Sequence, residues 1–230
     1  MTPTKRSNSR AARIAAIKAA AARQLASRGA AALSLREVAR ELDLVSSAIY
    51  RYFATRDELL TALIVDAYDD LGSTVEAAEA PLARGRTRER WRVACRAVRA
   101  WAIAHPHDYA LLYGTPVPDY RAPALTIEAA SRVIGVLGRI MDDDAAQRAS
   151  VATHDAGADV AGFLDVDNVA AVMPHVATGR YVRALIAWSH VFGSVSFELF
   201  GHFVGSVQDP DAYFERVVDE LADLLGLAND

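Results

Sequence analysis

An all-α protein is the fold class this sequence predicts, and three observations predict it. Apolar residues recur at three- and four-residue spacing over long runs, while strand-like alternation is rare. Two S/T-x-x-E boxes, Ser34 with Glu37 and Thr55 with Glu58, have the spacing at which a hydroxyl and a carboxylate satisfy the orphan N–H groups of a helix start. At 230 residues and 52% hydrophobic content, the chain is long and apolar enough to bury a sizeable core.

The first element is the Ala-rich run AARIAAIKAAAARQLASRG, a helix ending near Gly29. Lys5, Arg6, Arg10 and Arg13 precede or open it on an arm containing Ser, Thr and Asn. Such an arm follows a phosphate backbone or enters a minor groove; a solubilising tail is the other reading. A second helix starts at Ser34, with Leu35, Val38, Ala39 and Leu42 on its buried face. Asp43 and Leu44 break the pattern, and a short third helix is expected from about Ser46 to Tyr52 with Ile49 and Phe53 turned inward. That leaves Ser46, Ser47, Ala48, Arg51 and Tyr52 outside. Two short helices joined by a tight turn are how a chain presents a helix to the DNA major groove, where small residues allow close approach and larger ones reach phosphate. The next helix begins at the Thr55–Glu58 box, and Arg56 in its first turn is placed for a phosphate.

Charge separates this region from the rest. Residues 1–60 hold 11 Lys and Arg against 5 Asp and Glu, a balance of +6 in a chain whose total is −4, so the remainder carries −10. The protein is basic only where it would meet phosphate.

From about Ile14 to Leu63, with VSSAIYRYF followed by RDELL, the sequence resembles the N-terminal domain of TetR-type transcriptional regulators. The resemblance implies a helix-turn-helix formed by the second and third helices. Carried over position by position, it places Ser34, Arg36 and Arg56 at backbone or flanking-base contacts, and Ser46, Ser47, Ala48, Tyr50, Arg51 and Tyr52 on the recognition helix. Asp43 stands where the family usually has Gly, Tyr52 where His is more common, and Val45 where a capping Ser is frequent. The implied organisation is a DNA-binding domain over residues 1–58 and a helical ligand-binding and dimerisation domain over 59–230.

Beyond residue 60 a long helix is expected from Leu59 to about Ala78, and the Pro81–Gly85 stretch ends it. From Thr87 to His105, the residues Trp91, Ala94, Cys95, Val98, Trp101 and Ala102 make an apolar stripe. The opposite face carries Arg88, Arg92, Arg96 and Arg99. This row suits either a second nucleic-acid surface or a solvated face paired with carboxylates, and Asp142, Asp143 and Asp144 are candidate partners. Pro106 ends this helix or opens the next, where Asp108 assists the N-terminus. Gly114, Pro116, Pro118 and Pro123 then enforce an extended turn before a helix from Ala124 to Met141. Residues 142–168 read as a long loop with one short helix.

The 100–123 segment, together with Trp188, His190, Gly193 and Glu198, resembles a TetR C-terminal ligand-domain subfamily built around Trp, His and Gly positions. That subfamily often has Gly where Asp119 lies here. Trp91, Cys95, Tyr109, Leu112, Tyr113, Phe163, Met173, Trp188 and Phe192 are candidates to line a pocket for an unidentified small-molecule effector, and plain core is the competing reading for each. His190 and Glu198, two turns apart, read as a buried hydrogen-bonded pair. Gly193, Phe197, Gly201 and Gly205 repeat every four residues along an expected helix from Ala184 to Val204. With Phe214, Val218, Leu221 and Leu225 of the final helix they are expected to pair with a second copy in an isologous four-helix interface.

Other functions find little support. No Gly-rich phosphate loop, nucleophile elbow or meaningful carboxylate dyad is present, so no enzyme and no cofactor are expected. His105, His107 and Asp108 straddle a proline without a third His or Cys at ligand spacing, and no metal is expected. The single cysteine, Cys95, excludes an internal disulfide and fits a reducing cytosol, and neither a signal peptide nor a membrane span is evident. The expectation is a cytoplasmic, ligand-responsive repressor that folds as an Ω-like dimer and binds an inverted-repeat double-stranded DNA operator. The alternative is a helical enzyme or small-molecule carrier using its N-terminal helices as an interaction module.

Overall fold

A computed structural model describes residues 5–148 and 178–228, with a few single residues between them. Its elements are α1 (Lys5–Arg28), a 3-10 turn (Ala30–Ala32), α2 (Leu35–Glu41), α3 (Ser46–Ile49), α4 (Arg56–Glu79), α5 (Thr87–Ala104), α6 (Pro106–Tyr113), α7 (Thr126–Arg148), α8 (Thr178–Leu199) and α9 (Pro210–Leu225). No strand occurs among the described residues, as the all-α expectation requires.

The chain forms two compact units. The first comprises residues up to 68 together with 107–127. Its core is Ile17, Ala20, Ala21 and Leu25 of α1, Val38 and Ala39 of α2, Ile49 and Phe53, and Leu59, Leu60, Leu63 and Ile64 of α4. Leu111 and Leu112 of α6, with Val117 and Tyr120 beyond it, pack against this core, and the Tyr120 hydroxyl shares a 2.9 Å hydrogen bond with Thr61. A segment half a chain away from the N-terminal helices thus completes their unit. Residue 58, the expected domain limit, lies within the first turn of the continuous helix α4.

The second unit comprises residues 69–106 and 128–230, of which the described part is the end of α4 with α5, α7, α8 and α9. The expected stripe on α5 is buried as expected, and the Trp91 indole N–H donates to the Val218 carbonyl at 2.8 Å, tying α5 to α9. Asp209 caps α9 by accepting the Ala212 N–H at 3.0 Å, with Pro210 at the first helical position.

Residues Asp142–Arg148 continue α7 instead of opening a loop. Three aspartates near a helix C-terminus oppose the helix dipole, and for that reason the sequence reads as an ending. Tertiary partners reverse the balance: Asp144, 1% exposed, accepts from Thr87 Oγ1 at 3.3 Å, from the Ala228 N–H at 3.2 Å and from Arg180 at 3.4 Å. Arg90 reaches Asp143 at 2.6 Å. Residues 149–161 of the expected loop lie outside the described residues.

Candidate nucleic-acid interface

The turn between α2 and α3 sets the pose of the second helix. Asp43 adopts φ 52, the left-handed conformation in which Asp is better tolerated than most residues. The Asp43 N–H donates to the Arg40 carbonyl at 3.2 Å and the Leu44 N–H to the Ala39 carbonyl at 2.8 Å, the paired bonds of a Schellman stop. Asp119, at φ 64, adopts the same conformation at the other position where the resemblance leads one to expect Gly. The α-helical part of α3 is four residues, Ser46–Ile49, continued by turn bonds from Arg51 to Ala48 and from Tyr52 to Ile49. So short a helix has no stability of its own. Burial of Ile49 (0% exposed) and Phe53 (8%) holds it, at about 1.5–3 kcal/mol for each such side chain.

The two expected boxes differ. Thr55 Oγ1 accepts the Glu58 N–H at 3.1 Å, as the box at α4 requires, and the Glu58 carboxylate reaches back one residue past the cap to the Ala54 N–H at 2.7 Å. At α2, Ser34 occupies the N-cap position without a side-chain capping bond, and its N–H donates to buried Gln24 at 3.3 Å. Glu37 is drawn off to Arg28 of α1, whose guanidinium holds the carboxylate below its ordinary pKa.

The expected contact residues fall into two groups. Ser46, Ser47, Arg51 and Arg36 are exposed, Tyr50 is 45% exposed, and Ala48 and Ser34 are half-buried. Neither Arg36 nor Arg51 has a hydrogen-bonding or ion-pair partner among the described residues, so their charge is available to a phosphate. Arg56 and Tyr52, both half-buried, also make contacts within their own unit. The Arg56 guanidinium donates to the Ala30 carbonyl at 2.9 Å and the Ala31 carbonyl at 3.4 Å, closing the 3-10 turn after Gly29. Tyr52 is half-buried against the core with the Arg10 guanidinium 5.7 Å from its ring centre. Two exposed residues were missing from the expected set: Arg40 on α2 and Val45, whose side chain is 77% exposed at the N-cap of α3. The sequence carried a signal for the latter, since Val is a poor cap.

In the second unit the arginine row of α5 is paired, and its partners are not Asp142–Asp144. Arg88 binds Asp223 at 2.5 Å, Arg92 binds Asp219 at 2.7 Å and Arg96 binds Glu215 at 2.5 Å, all on α9. Arg99 grips both oxygens of Glu198, at 2.6 and 2.7 Å, and binds Asp211 at 2.7 Å. The guanidiniums hold Glu215 and Asp223 below the ordinary carboxylate range. Glu198 is therefore the partner of Arg99, while His190 is exposed; the expected His190–Glu198 pair does not form.

The candidate effector residues do not form one group. Tyr109, Leu112 and Tyr113 belong to the first unit, where Tyr113 meets Tyr68 edge-on at 6.1 Å and Tyr109 at 5.1 Å, and burial pushes the Tyr113 phenol well up. Trp91, Cys95, Trp188 and Phe192 belong to the second; Trp91 and Cys95 are core, and burial raises the Cys95 thiol. Trp188 is half-buried with its ring 5.5 Å from Phe192. Phe163 and Met173 lie outside the described residues.

The expected interface row also changes. Helix α8 ends at Leu199, and Gly201 (φ 77) and Gly205 (φ 85) are left-handed turn residues. Gly201 forms a Schellman stop, with the His202 N–H donating to the Phe197 carbonyl at 2.8 Å. Phe214, Val218, Leu221 and Leu225 face their own protomer and are at most 6% exposed. Gly193 and Phe197 remain on the outer face of α8, where with Ile186, Ser189, His190, Phe203 and Tyr213 they line a shallow groove of about 340 Å³. Among the described residues no cluster of three metal-ligating side chains occurs, and no helix is long and apolar enough to cross a membrane.

Comparison with known proteins meets this geometry. Residues 17–63 match the family model of bacterial regulatory proteins of the tetR family, and residues 91–221 match that of the tetracyclin repressor-like C-terminal domain. The HTH-type transcriptional regulator Rv1816 of Mycobacterium tuberculosis is 38% identical over 206 residues, covering 84% of this chain and 83% of its own. The crystal structure of SCO4313 superposes with a TM-score of 0.78 at 35% identity, over 96% of this chain and 100% of that one. That of Mycobacterium smegmatis BioQ shares the fold, with a TM-score of 0.52 at 23% identity over 91% of this chain and 95% of that one.

Proposed function

The chain belongs to the TetR family of transcriptional regulators, a family of regulators and not of enzymes, and from that premise we propose that it is a cytoplasmic, effector-released repressor acting as a dimer. The observation that carries the reading is the outward face of α2 and α3: Ser46, Ser47 and Tyr50 stand exposed on a helix pinned by Ile49, while Arg36 and Arg51 have charge with no partner among the described residues. Hydroxyls at the start of the helix suit base edges, and the arginines suit the flanking phosphates.

A dimer places two such helices on one face of DNA, so the operator is an inverted repeat with half-sites about 34–36 Å apart or a multiple of that. The outer face of α8 supports the pairing, because Ile186 and Phe197 are 47% and 51% exposed on it. Gly201→Leu would strain a left-handed residue and so perturb the fold itself. Gly193 is the better probe: a Cβ there meets nothing within 4 Å of its own chain, and removing Gly from a helix adds up to about 1 kcal/mol of stability. Gly193→Leu is expected to leave the protomer folded, read by its helical circular dichroism, while reducing dimerisation and operator affinity, read by sedimentation and gel shift. A Gly193→Leu protein that remains a full-affinity dimer moves the interface elsewhere.

The effector acts by binding one state better than the other, so it raises thermal stability and releases DNA together. The decisive test is gel-shift binding to DNA upstream of the protein's own gene, in competition with unrelated duplex. Equal affinity for both would overturn the repressor reading.

A further inference from the structure

We propose that Val45 is a specificity-determining residue that reads a thymine 5-methyl group in the operator's major groove; the inference rests on the DNA-binding reading above. Val45 is the N-cap of α3: its carbonyl accepts the Ala48 N–H at 2.7 Å, and its side chain makes no capping bond. Valine is among the poorest residues at this position because it offers no oxygen to the free amide hydrogens of the first turn. It does not serve the core either, since its side chain is 77% exposed, whereas its neighbour Leu44 packs against the core and Ile49 is fully buried. Helix start and burial both argue for a different residue here, and positions where local rules fail together are where function is found.

The chemistry of the major groove supplies the reason. Residues at the N-terminal end of a recognition helix meet base edges. Among those edges only thymine presents an apolar group, its 5-methyl, and apolar side chains contact it. The two methyl groups of Val45 neither donate nor accept a hydrogen bond, so they distinguish thymine from uracil, or 5-methylcytosine from cytosine, and nothing finer. Exposed Ser46 and Ser47, next in the chain, carry the hydroxyls for donor and acceptor groups on adjacent bases. One position in each half-site is therefore read by its methyl group.

The test uses the full-length protein and the operator it selects from a random duplex library. Thymines of the operator are replaced one symmetric pair at a time by deoxyuridine, which removes only the methyl group. Wild-type protein should lose about fourfold in affinity per half-site at one pair, about fifteenfold for the two-fold operator, as expected for one methyl-sized apolar contact. Val45→Ala should lose about the same on the thymine operator and show no further loss on the uracil one. At that pair, cytosine should bind weakly and 5-methylcytosine should recover affinity for wild type but not for Val45→Ala. Val45→Thr, a better cap with one methyl fewer, should melt at a higher temperature while losing part of the methyl preference. If no pair shows a uracil penalty that Val45→Ala abolishes, Val45 does not read a methyl, although operator binding stands. If the library yields no enriched sequence, the DNA-binding reading itself fails, and this inference with it.

Discussion

Arg36 and Arg51 in the first unit and Arg88, Arg92, Arg96 and Arg99 in the second are the same residue type on exposed-looking helical faces, and they differ in what meets them. Each member of the α5 row finds a carboxylate on α8 or α9, between 2.5 and 2.7 Å away. Arg36 and Arg51 find none among the described residues. The α5 row has lost its long-range field to its own chain, and the Arg36–Arg51 surface keeps it for a polyanion. Charge in the sequence becomes function only where the fold leaves it unpaired.

The largest test of this contrast lies at Arg90, the most enclosed arginine of α5. Its side chain is 3% exposed and binds Glu79, Asp143 at 2.6 Å and the Arg84 carbonyl at 2.9 Å. Arg90→Ala would deprive the part-buried carboxylates of Glu79 and Asp143 of their enclosed partner, at up to about 3 kcal/mol, and should shift the urea midpoint accordingly. A change below about 1 kcal/mol would show that the site takes up water and that the enclosed pairs resemble the exposed ones.

Next in size is the response of DNA affinity to salt. Arg36→Ala and Arg51→Ala should each weaken binding by about tenfold, lower the salt slope by about one and leave unfolding unchanged. Arg96→Ala, at the exposed pair with Glu215, should leave the slope as it is. Arg56→Ala should alter thermal stability more than the slope, because that guanidinium holds the Ala30 and Ala31 carbonyls. A loss of slope at Arg56 or Arg96 would erase the distinction between paired and unpaired arginines.

The smallest effect is on acid stability. Arg132 lowers the pKa of Glu76 and Arg96 that of Glu215, so each pair stabilises the fold above the unfolded carboxylate pKa and is lost as pH falls through the lower folded value. With the partly exposed geometry each contributes at most about 1 kcal/mol, lost below about pH 4. Acid titration of Arg96→Ala should show less of this loss than wild type, and an identical profile would mean that solvent already screens the pair.

The sequence by itself determined the helical class, the α1–α4 order, the pose of the recognition helix through Asp43 and the cap at Thr55, because these depend on periodicity, turn chemistry and neighbours within a few residues. It also marked the first 60 residues as basic. Tertiary structure alone decided what individual side chains do. Arg56 and Tyr52 read from the sequence only as DNA contacts, and the fold adds a carbonyl 26 residues away and a packed core as partners. The Gly201 spacing looked like a helix surface until its left-handed backbone ended the helix. Asp142–Asp144 looked like a break because the partners that hold Asp143 and Asp144 in a helix, Arg90, Thr87, Arg180 and the Ala228 amide, are dozens of residues distant. Local rules specify where the backbone turns; which charge is neutralised and which stays available depends on contacts that only the folded chain creates.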